Sequence, residues 1–199
     1  LPISGSASWH YAEAGAVSLS DCKRGFVITF VAAAAGTLLV RQLSSDFLGR
    51  FIPVLLIAVA LYTWFRSDLG HTETKPRMQR GSFDLLFGLL IGFYDGFFGP
   101  GTGTFWAMAF VLALGFQFTK ATAQTKVMNF ASNLSSLLFF LPGGHVVPTA
   151  GVAMGLGQLL GARLGSRTVV KHGARFIRPV FISVVLAITL KLGYDAWLK

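Results

Sequence analysis

Residues 127–162 read VMNFASNLSSLLFFLPGGHVVPTAGVAMGLGQLLGA, and none of them is Asp, Glu, Lys or Arg. About 20 residues of helix cross a bilayer core, so this uncharged run is too long for one crossing. Pro142-Gly143-Gly144-His145-Val146-Val147-Pro148 is the turn that divides it. The rest of the chain follows the same pattern. Uncharged or nearly uncharged stretches fall at about 1–19, 25–40, 51–65, 82–98, 101–118, 122–142, 146–163 and 176–197. Flanking Lys and Arg side chains can snorkel and so extend the shorter ones. Of 199 residues, 53% are hydrophobic and 13% charged, about half the charge of an ordinary globular domain. Mean hydropathy is +0.63. These values exclude a disordered chain. A single cysteine, Cys22, excludes a disulfide-stapled scaffold and a multi-cysteine metal site. The expected fold is all-α, a polytopic transmembrane helix bundle.

The formal net charge of +9 has the sign that nucleic acid attracts. The 17 basic residues, however, lie between apolar runs rather than along one face, as the cytoplasmic loops of membrane proteins place them. No nucleic-acid partner is expected. The N-terminus has no basic n-region and further apolar segments follow it, which argues against a secretory signal peptide. With one crossing per stretch and the 163–178 loop in the cytoplasm, 13 of the 17 Lys and Arg face inwards. Lys23, Arg24, Lys75, Arg77, Arg80, Lys120 and Lys126 are among them. Giving 82–118 only one net crossing lowers the figure to 9. The positive-inside rule favours the first arrangement, with a re-entrant hairpin over 82–118 as its competitor.

An internal repeat is also legible. Gly49-Arg50-Phe51-Ile52-Pro53-Val54 returns as Ala174-Arg175-Phe176-Ile177-Arg178-Pro179-Val180, and Gly36 maps onto Gly161 at the same offset of 125. Chance likeness between apolar helices is the plainer account, and it suffices for Gly5-Ser6 against Ala131-Ser132. Internal repeats are nevertheless a known build of secondary transporters. On that reading residues 1–66 are the remainder of an N-terminal repeat with about three transmembrane segments. Residues 67–81 are the inter-repeat loop, and 82–199 form a C-terminal repeat with about five. The two copies would be inverted. The counterpart of 82–126 would precede Leu1, so the first repeat is expected to be truncated by roughly 45 residues or more.

Few residues can carry chemistry. Gly92-Phe93-Tyr94-Asp95-Gly96-Phe97-Phe98-Gly99-Pro100-Gly101-Thr102-Gly103-Thr104-Phe105-Trp106 sets a carboxylate, a proline and five glycines in an otherwise apolar stretch. Gly99-Pro100-Gly101 should interrupt a helix, and irregular backbone at membrane depth persists only where protein or a water-filled cavity covers it. A helix restarting there would present free N–H groups at Thr102, Gly103 and Thr104, an anion site reinforced by the helix dipole. The plainer reading is a tight surface loop whose glycines let helices pack. Asp95, an ionisable group in an apolar segment, is a candidate gate or coupling residue for a proton or cation. Alternatively it holds the turn by accepting N–H bonds from Phe97 and Phe98. Asp84 lies nearer the segment end and is expected at the interface.

Lys126, Asn129, Asn133 and Ser136 are spaced 3, 4 and 3 and share one helix face, with Thr122 and Thr125 before them. A cation followed by amides suits an oxyanion, which accepts hydrogen bonds from all of them. Polar side chains also simply hold helices together. Gly151, Gly155, Gly157, Gly161 and Gly165 form overlapping G-x-x-x-G patterns and read as a close-packing face. No Lys-Ser or Lys-Thr follows the glycines of 92–103 and no Gly-x-Ser-x-Gly elbow occurs, while His10, His71, His145 and His172 lack ligand spacing. No enzyme chemistry, metal or cofactor is expected.

With these residues in view, the chain resembles the sulfite exporter family of bacterial membrane transporters (TauE/SafE type). Gly92-Phe93-Tyr94-Asp95-Gly96-Phe97-Phe98-Gly99-Pro100-Gly101-Thr102-Gly103 carries the resemblance, supported by Ala121-Thr122-Ala123-Gln124-Thr125-Lys126-Val127 and by the two related halves. It implies a multi-pass inner-membrane protein that moves sulfite, sulfonates or other small organic anions, usually outwards. The family's first glycine-rich segment, in the N-terminal copy, is absent from this sequence, and substrate varies among its members.

The expected function is a secondary transporter exporting a small anion such as sulfite or an organosulfonate. Gly101, Thr102, Gly103, Thr104, Lys126, Asn129 and Asn133 would contact substrate, and Asp95 would gate or couple. Its partners would be the small anionic solute, the lipid bilayer and a coupling proton or cation, with oligomerisation left open. A passive anion channel competes, and predicts conductance without coupling. A non-transporting membrane scaffold or assembly protein also competes, and predicts partner binding that survives Lys126→Ala.

Overall fold

A computed structural model describes residues 19–65, 74–143 and 147–172, with isolated positions at 183, 187, 191 and 194. Among the described residues the regular structure is helical, with no strand. Six of the expected apolar stretches lie there, and each is a helix: α1 (Leu19–Val40), α2 (Ser45–Phe65), α3 (Arg80–Phe97), α4 (Thr102–Leu114), α5 (Phe118–Phe140) and α6 (Pro148–His172). One 3-10 turn, Leu141–Gly143, follows α5 at the expected Pro-Gly turn. The stretches at 1–19 and 176–197 lie almost wholly outside the described residues, as does the Arg175-Phe176-Ile177 half of the repeat.

Local chemistry sets the helix ends. Ser44 caps α2, its Oγ accepting from the Phe47 N–H at 3.3 Å. Gly115 ends α4 with φ 69°, donating to the Val111 carbonyl at 3.1 Å while Phe116 N–H reaches the Phe110 carbonyl at 3.2 Å. One boundary differs from expectation. The cytoplasmic loop expected from residue 163 is helical up to His172. Arg163, Arg167 and Lys171 are good helix formers, so a change in charge did not have to mark a helix end. Among the described residues Cys22–Val40 alone is both long and apolar enough to cross a bilayer. The 13 residues of α4 rise about 20 Å, less than the roughly 30 Å of a hydrocarbon core.

The described residues fall into two compact units, 19–42 with 74–143, and 43–65 with 147–172. In the first, α1 lies along α3. Gly88, Gly92 and Gly96 share one face of α3 at i, i+4 and i+8, the spacing that lets two backbones approach. A Cβ at Gly92 would stand 3.0 Å from Thr29 Cα, and one at Gly96 would collide with the Ala33 carbonyl. Gly36 of α1 is in turn pressed against the Phe93 carbonyl. Hydroxyls tie the same helices together: Thr37 Oγ1 donates to the Gly96 carbonyl (3.1 Å) and lies 3.0 Å from Ser136 Oγ, and Ser135 Oγ donates to the Phe30 carbonyl at 2.7 Å. The core is aromatic at one end, where Phe83, Trp106 and Phe110 are buried and the Phe83–Phe110 ring centroids lie 4.9 Å apart.

In the second unit, α2 carries a buried Pro53 and stacks Phe47 on Phe51 at 5.3 Å. α6 exposes Val152, Met154, Leu156 and Leu160. A Cβ added at Gly151, Gly155, Gly157 or Gly161 would meet nothing within 4 Å. Among the described residues, close glycine packing is on α3.

Candidate functional site

The chain breaks between α3 and α4 where Gly99-Pro100-Gly101 required it. Phe98 and Gly99 N–H both donate to the Tyr94 carbonyl (2.8 and 3.2 Å), closing α3. Gly99 and Gly101 then take φ 89° and 86°, a left-handed geometry that side chains disfavour. Tyr94 OH donates to the Pro100 carbonyl at 2.9 Å and pins the loop. The two helices run back to back as a hairpin. Arg77 and Met78 N–H, just before α3, donate to the Ala113 carbonyl near the end of α4 (2.9 and 3.1 Å).

Asp95 sits half-buried in the last turn of α3. One carboxylate oxygen accepts from Thr102 Oγ1 at 3.1 Å and the other from Ser132 Oγ of α5. The side chain therefore joins α3, the first residue of α4, and α5. The expected turn bond from Phe98 is not made, because that N–H already closes α3 on Tyr94. Both hydroxyls have a second acceptor in reach. Thr102 Oγ1 is 2.8 Å from the Gly99 carbonyl, and Ser132 Oγ is 3.2 Å from the Asn129 carbonyl and 3.3 Å from that of Met128. A hydroxyl has one proton to give. With the carboxylate ionised both protons can go to Asp95; with it protonated they can turn to the carbonyls, and no donor is left bare.

The helix-start anion site is smaller than expected. Thr102 N–H donates to the Gly99 carbonyl at 3.3 Å and Thr104 N–H to that of Gly101 at 2.9 Å. Gly103 is left as the one N–H of the three without a backbone acceptor among the described residues. A tight first turn uses the donors that an open one would offer. Asn129 lies against this point: a Cβ at Gly103 would stand 3.4 Å from its Nδ2. Asn129 Oδ1 is buried and has no donor. Lys126, one turn earlier, is half-buried, whereas Asn133 is exposed. Ser136 Oγ lies 3.0 Å from Thr37 Oγ1.

Sequence reasoning missed Ser132. α5 carries two adjacent stripes with the same 3, 4, 3 spacing, and the one that packs inwards is Thr125, Met128, Ser132 and Ser135, none more than 3% exposed. Its hydroxyls gave the signal, which the lysine of the neighbouring stripe outweighed. Trp106 Nε1 and Thr122 Oγ1, on the helices that pack together here, are also buried without a partner. Asp84, expected at the interface, is 2% exposed and accepts from Arg80 Nε at 2.9 Å. Among the described residues no group of three or more His, Cys, Asp or Glu could hold a metal.

The chain is similar to known proteins along almost its whole length. A family model described as Sulfite exporter TauE/SafE matches residues 1–192. A protein of Escherichia coli strain K12 named probable membrane transporter protein YfcA is 42% identical over 191 residues, covering 96% of this chain and 71% of that protein. A probable membrane transporter protein of Haemophilus influenzae is 40% identical over 190 residues, and one from a Sinorhizobium species is 41% identical over 192. Each of those two matches covers 96% of this chain and 74% of the relative. No solved structure matches. A helix broken at Gly99-Pro100-Gly101, a carboxylate held at the break and a match along almost the whole chain give one result: the chain belongs to the sulfite exporter TauE/SafE family of membrane transporters.

Proposed function

We propose that the chain is a multi-pass secondary transporter of the bacterial inner membrane that moves a small oxyanion, sulfite or an organosulfonate, outwards without converting it chemically. The supporting observation is the Asp95–Thr102–Ser132 cluster at the helix break, where both hydroxyls have a second acceptor in reach. A carboxyl that can take a proton and be satisfied in either state is what proton coupling needs, and it ties that proton to the bonds joining three helices. Substrate would bind beside it, contacting Gly103, Asn129 and Lys126. Gly103 N–H and the Lys126 ammonium are donors, and the buried Asn129 Oδ1 is an acceptor, so the set suits an oxyanion that still carries a proton. Gly101, Thr102 and Thr104 shape the loop rather than donate, and Asn133 would meet substrate only at the exposed edge. The two-repeat division at 67–81, with inverted copies, belongs to the same proposal.

Radiolabelled sulfite efflux from proteoliposomes tests it, using the 199-residue chain and an upstream-extended form. Flux in either form that depends on pH and falls about tenfold or more in Lys126→Ala or Asn129→Ala is the expected result. Flux unchanged by both substitutions overturns the site. Conductance without pH dependence replaces the transporter with a channel.

A further inference from the structure

The break between α3 and α4 has two electrically opposite sides. α3 ends at Phe97, so Asp95 stands in a turn that carries the negative end of a helix dipole, and α4, starting at Thr102, turns its positive end towards Gly103 and Asn129. Asp95 is half-buried, and a carboxylate taken out of water is costly unless a counter-charge meets it. Among the described residues, the elements packed around it bring none close. α1 has no charged residue from Gly25 to Val40 and α4 none from Thr102 to Leu114. Arg41, just past α1, gives Nη1 to the Phe139 carbonyl at 2.8 Å. Arg80, three turns back along α3, is paired with Asp84. On α5, Lys126 precedes Ser132 by six residues, a rise of about 9 Å. What surrounds the carboxylate instead is oxygen. Thr102 Oγ1 and Ser132 Oγ, 5% and 1% exposed, approach its two oxygens from α4 and α5. The Gly99 carbonyl lies 2.8 Å from the first hydroxyl and the Asn129 carbonyl 3.2 Å from the second.

We infer that the Asp95 side of the break binds a monovalent alkali cation, sodium, held by the Asp95 carboxylate with Thr102 Oγ1 and Ser132 Oγ. The inference rests on the reading of Asp95 as the coupling group and names a second ion for it. A proton and a cation take the same oxygens in turn. The second acceptors make the cation state possible. When the Thr102 and Ser132 protons turn to the Gly99 and Asn129 carbonyls, both hydroxyls face the carboxylate with lone pairs, and a hydroxyl has two. Oxygen ligands suit a hard cation, and one carboxylate balances a single positive charge, whereas calcium sites recruit several acidic side chains. The closely spaced oxygens favour sodium over the larger potassium. Broken membrane helices in general place cations at the C-terminal end of a half-helix and anions at the N-terminal start of the next, and both ends are present here. Asn129 touches both sides, its carbonyl near Ser132 Oγ and its side chain near Gly103, so a cation and an oxyanion would load next to each other.

Binding of radiolabelled sodium to the purified chain in detergent, with no anion substrate present, tests the inference apart from any flux. Binding should saturate and be displaced by unlabelled sodium, with potassium about tenfold weaker as a competitor and choline without effect. Ser132→Ala, which removes one ligand, should lower sodium affinity by about tenfold or more, and Asp95→Asn should abolish binding. Lys126→Ala should bind sodium as the wild type does, because that lysine belongs to the anion side. Sodium should also raise the melting temperature of the wild type over that in choline chloride of equal ionic strength, an increment that Ser132→Ala loses even if its own melting point is lower. No saturable binding, or wild-type affinity in both Asp95→Asn and Ser132→Ala, overturns the inference and leaves the proton alone at Asp95. Displacement by potassium or choline as effective as by sodium also overturns it. Loss of the anion site in the sulfite experiment would leave this result standing, since no substrate enters the measurement.

Discussion

Asp95 and Ser132 are 37 positions apart in the chain and in contact in the fold. Removing the Ser132 hydroxyl takes a donor from a half-buried carboxylate, and hydrogen bonds to charged groups contribute about 1.5–3 kcal/mol. Ser132→Ala should therefore lower stability by about that much in a thermal-shift measurement. Asn133→Ala, at an exposed neighbouring position, should stay within about 0.5 kcal/mol. Asp95→Asn keeps the shape but cannot exchange a proton. Flux measured at several pH values should drop and lose its pH dependence, while a pore would continue to conduct. A variant with unaltered pH dependence would remove Asp95 from the coupling step.

Helix pairing rests on where glycine meets backbone. Gly88, Gly92 and Gly96 bring α3 against α1, and Gly96 has no room for a methyl group because the Ala33 carbonyl occupies that space. Gly96→Ala should cost about 1–3 kcal/mol, the usual penalty of overpacking. Gly157 of α6 also lies in a G-x-x-x-G pattern, yet a Cβ added there would meet no described residue within 4 Å. Gly157→Ala should be neutral or stabilising by up to about 1 kcal/mol through helix propensity alone. Melting temperatures of the two variants in one detergent make the comparison, and equal losses would mean that the α6 face is packed too.

For the whole molecule, the hairpin of α3 and α4 returns its two ends to one level, since residues 77 and 78 bond to Ala113. Arg77, Arg80 and Lys120 line one cavity as a result. Combined with the positive-inside count, this predicts that Arg77→Cys and Lys120→Cys label from the cytoplasmic side alone with a membrane-impermeant maleimide. Cys22, 1% exposed, gives little background. Labelling of the two positions from opposite sides would exclude the topology. Family membership supports transport of a small solute, and the flux experiment decides whether that solute is sulfite.

The six helices of the described residues, the break at Gly99-Pro100-Gly101 and the family were legible in the sequence. They depend on local properties: uncharged runs long enough to avoid water, and glycine and proline where the backbone must turn. Asp95 was legible as well, because a carboxylate in an apolar segment is conspicuous on its own. Its partner Ser132 was not. Periodicity shows that α5 has two polar stripes, 125-128-132-135 and 126-129-133-136, but it is silent on which of them meets a neighbouring helix. Only packing decides that, since burial depends on the partner face, and the same holds for α3 and α6, two glycine-striped helices of which one is pressed against α1 and the other meets no described residue at Gly151, Gly155, Gly157 or Gly161. The tightening of the first turn of α4, which uses the Thr102 and Thr104 N–H groups, was likewise set by tertiary geometry. Spacing gives the donors, and the fold decides whether they are already taken.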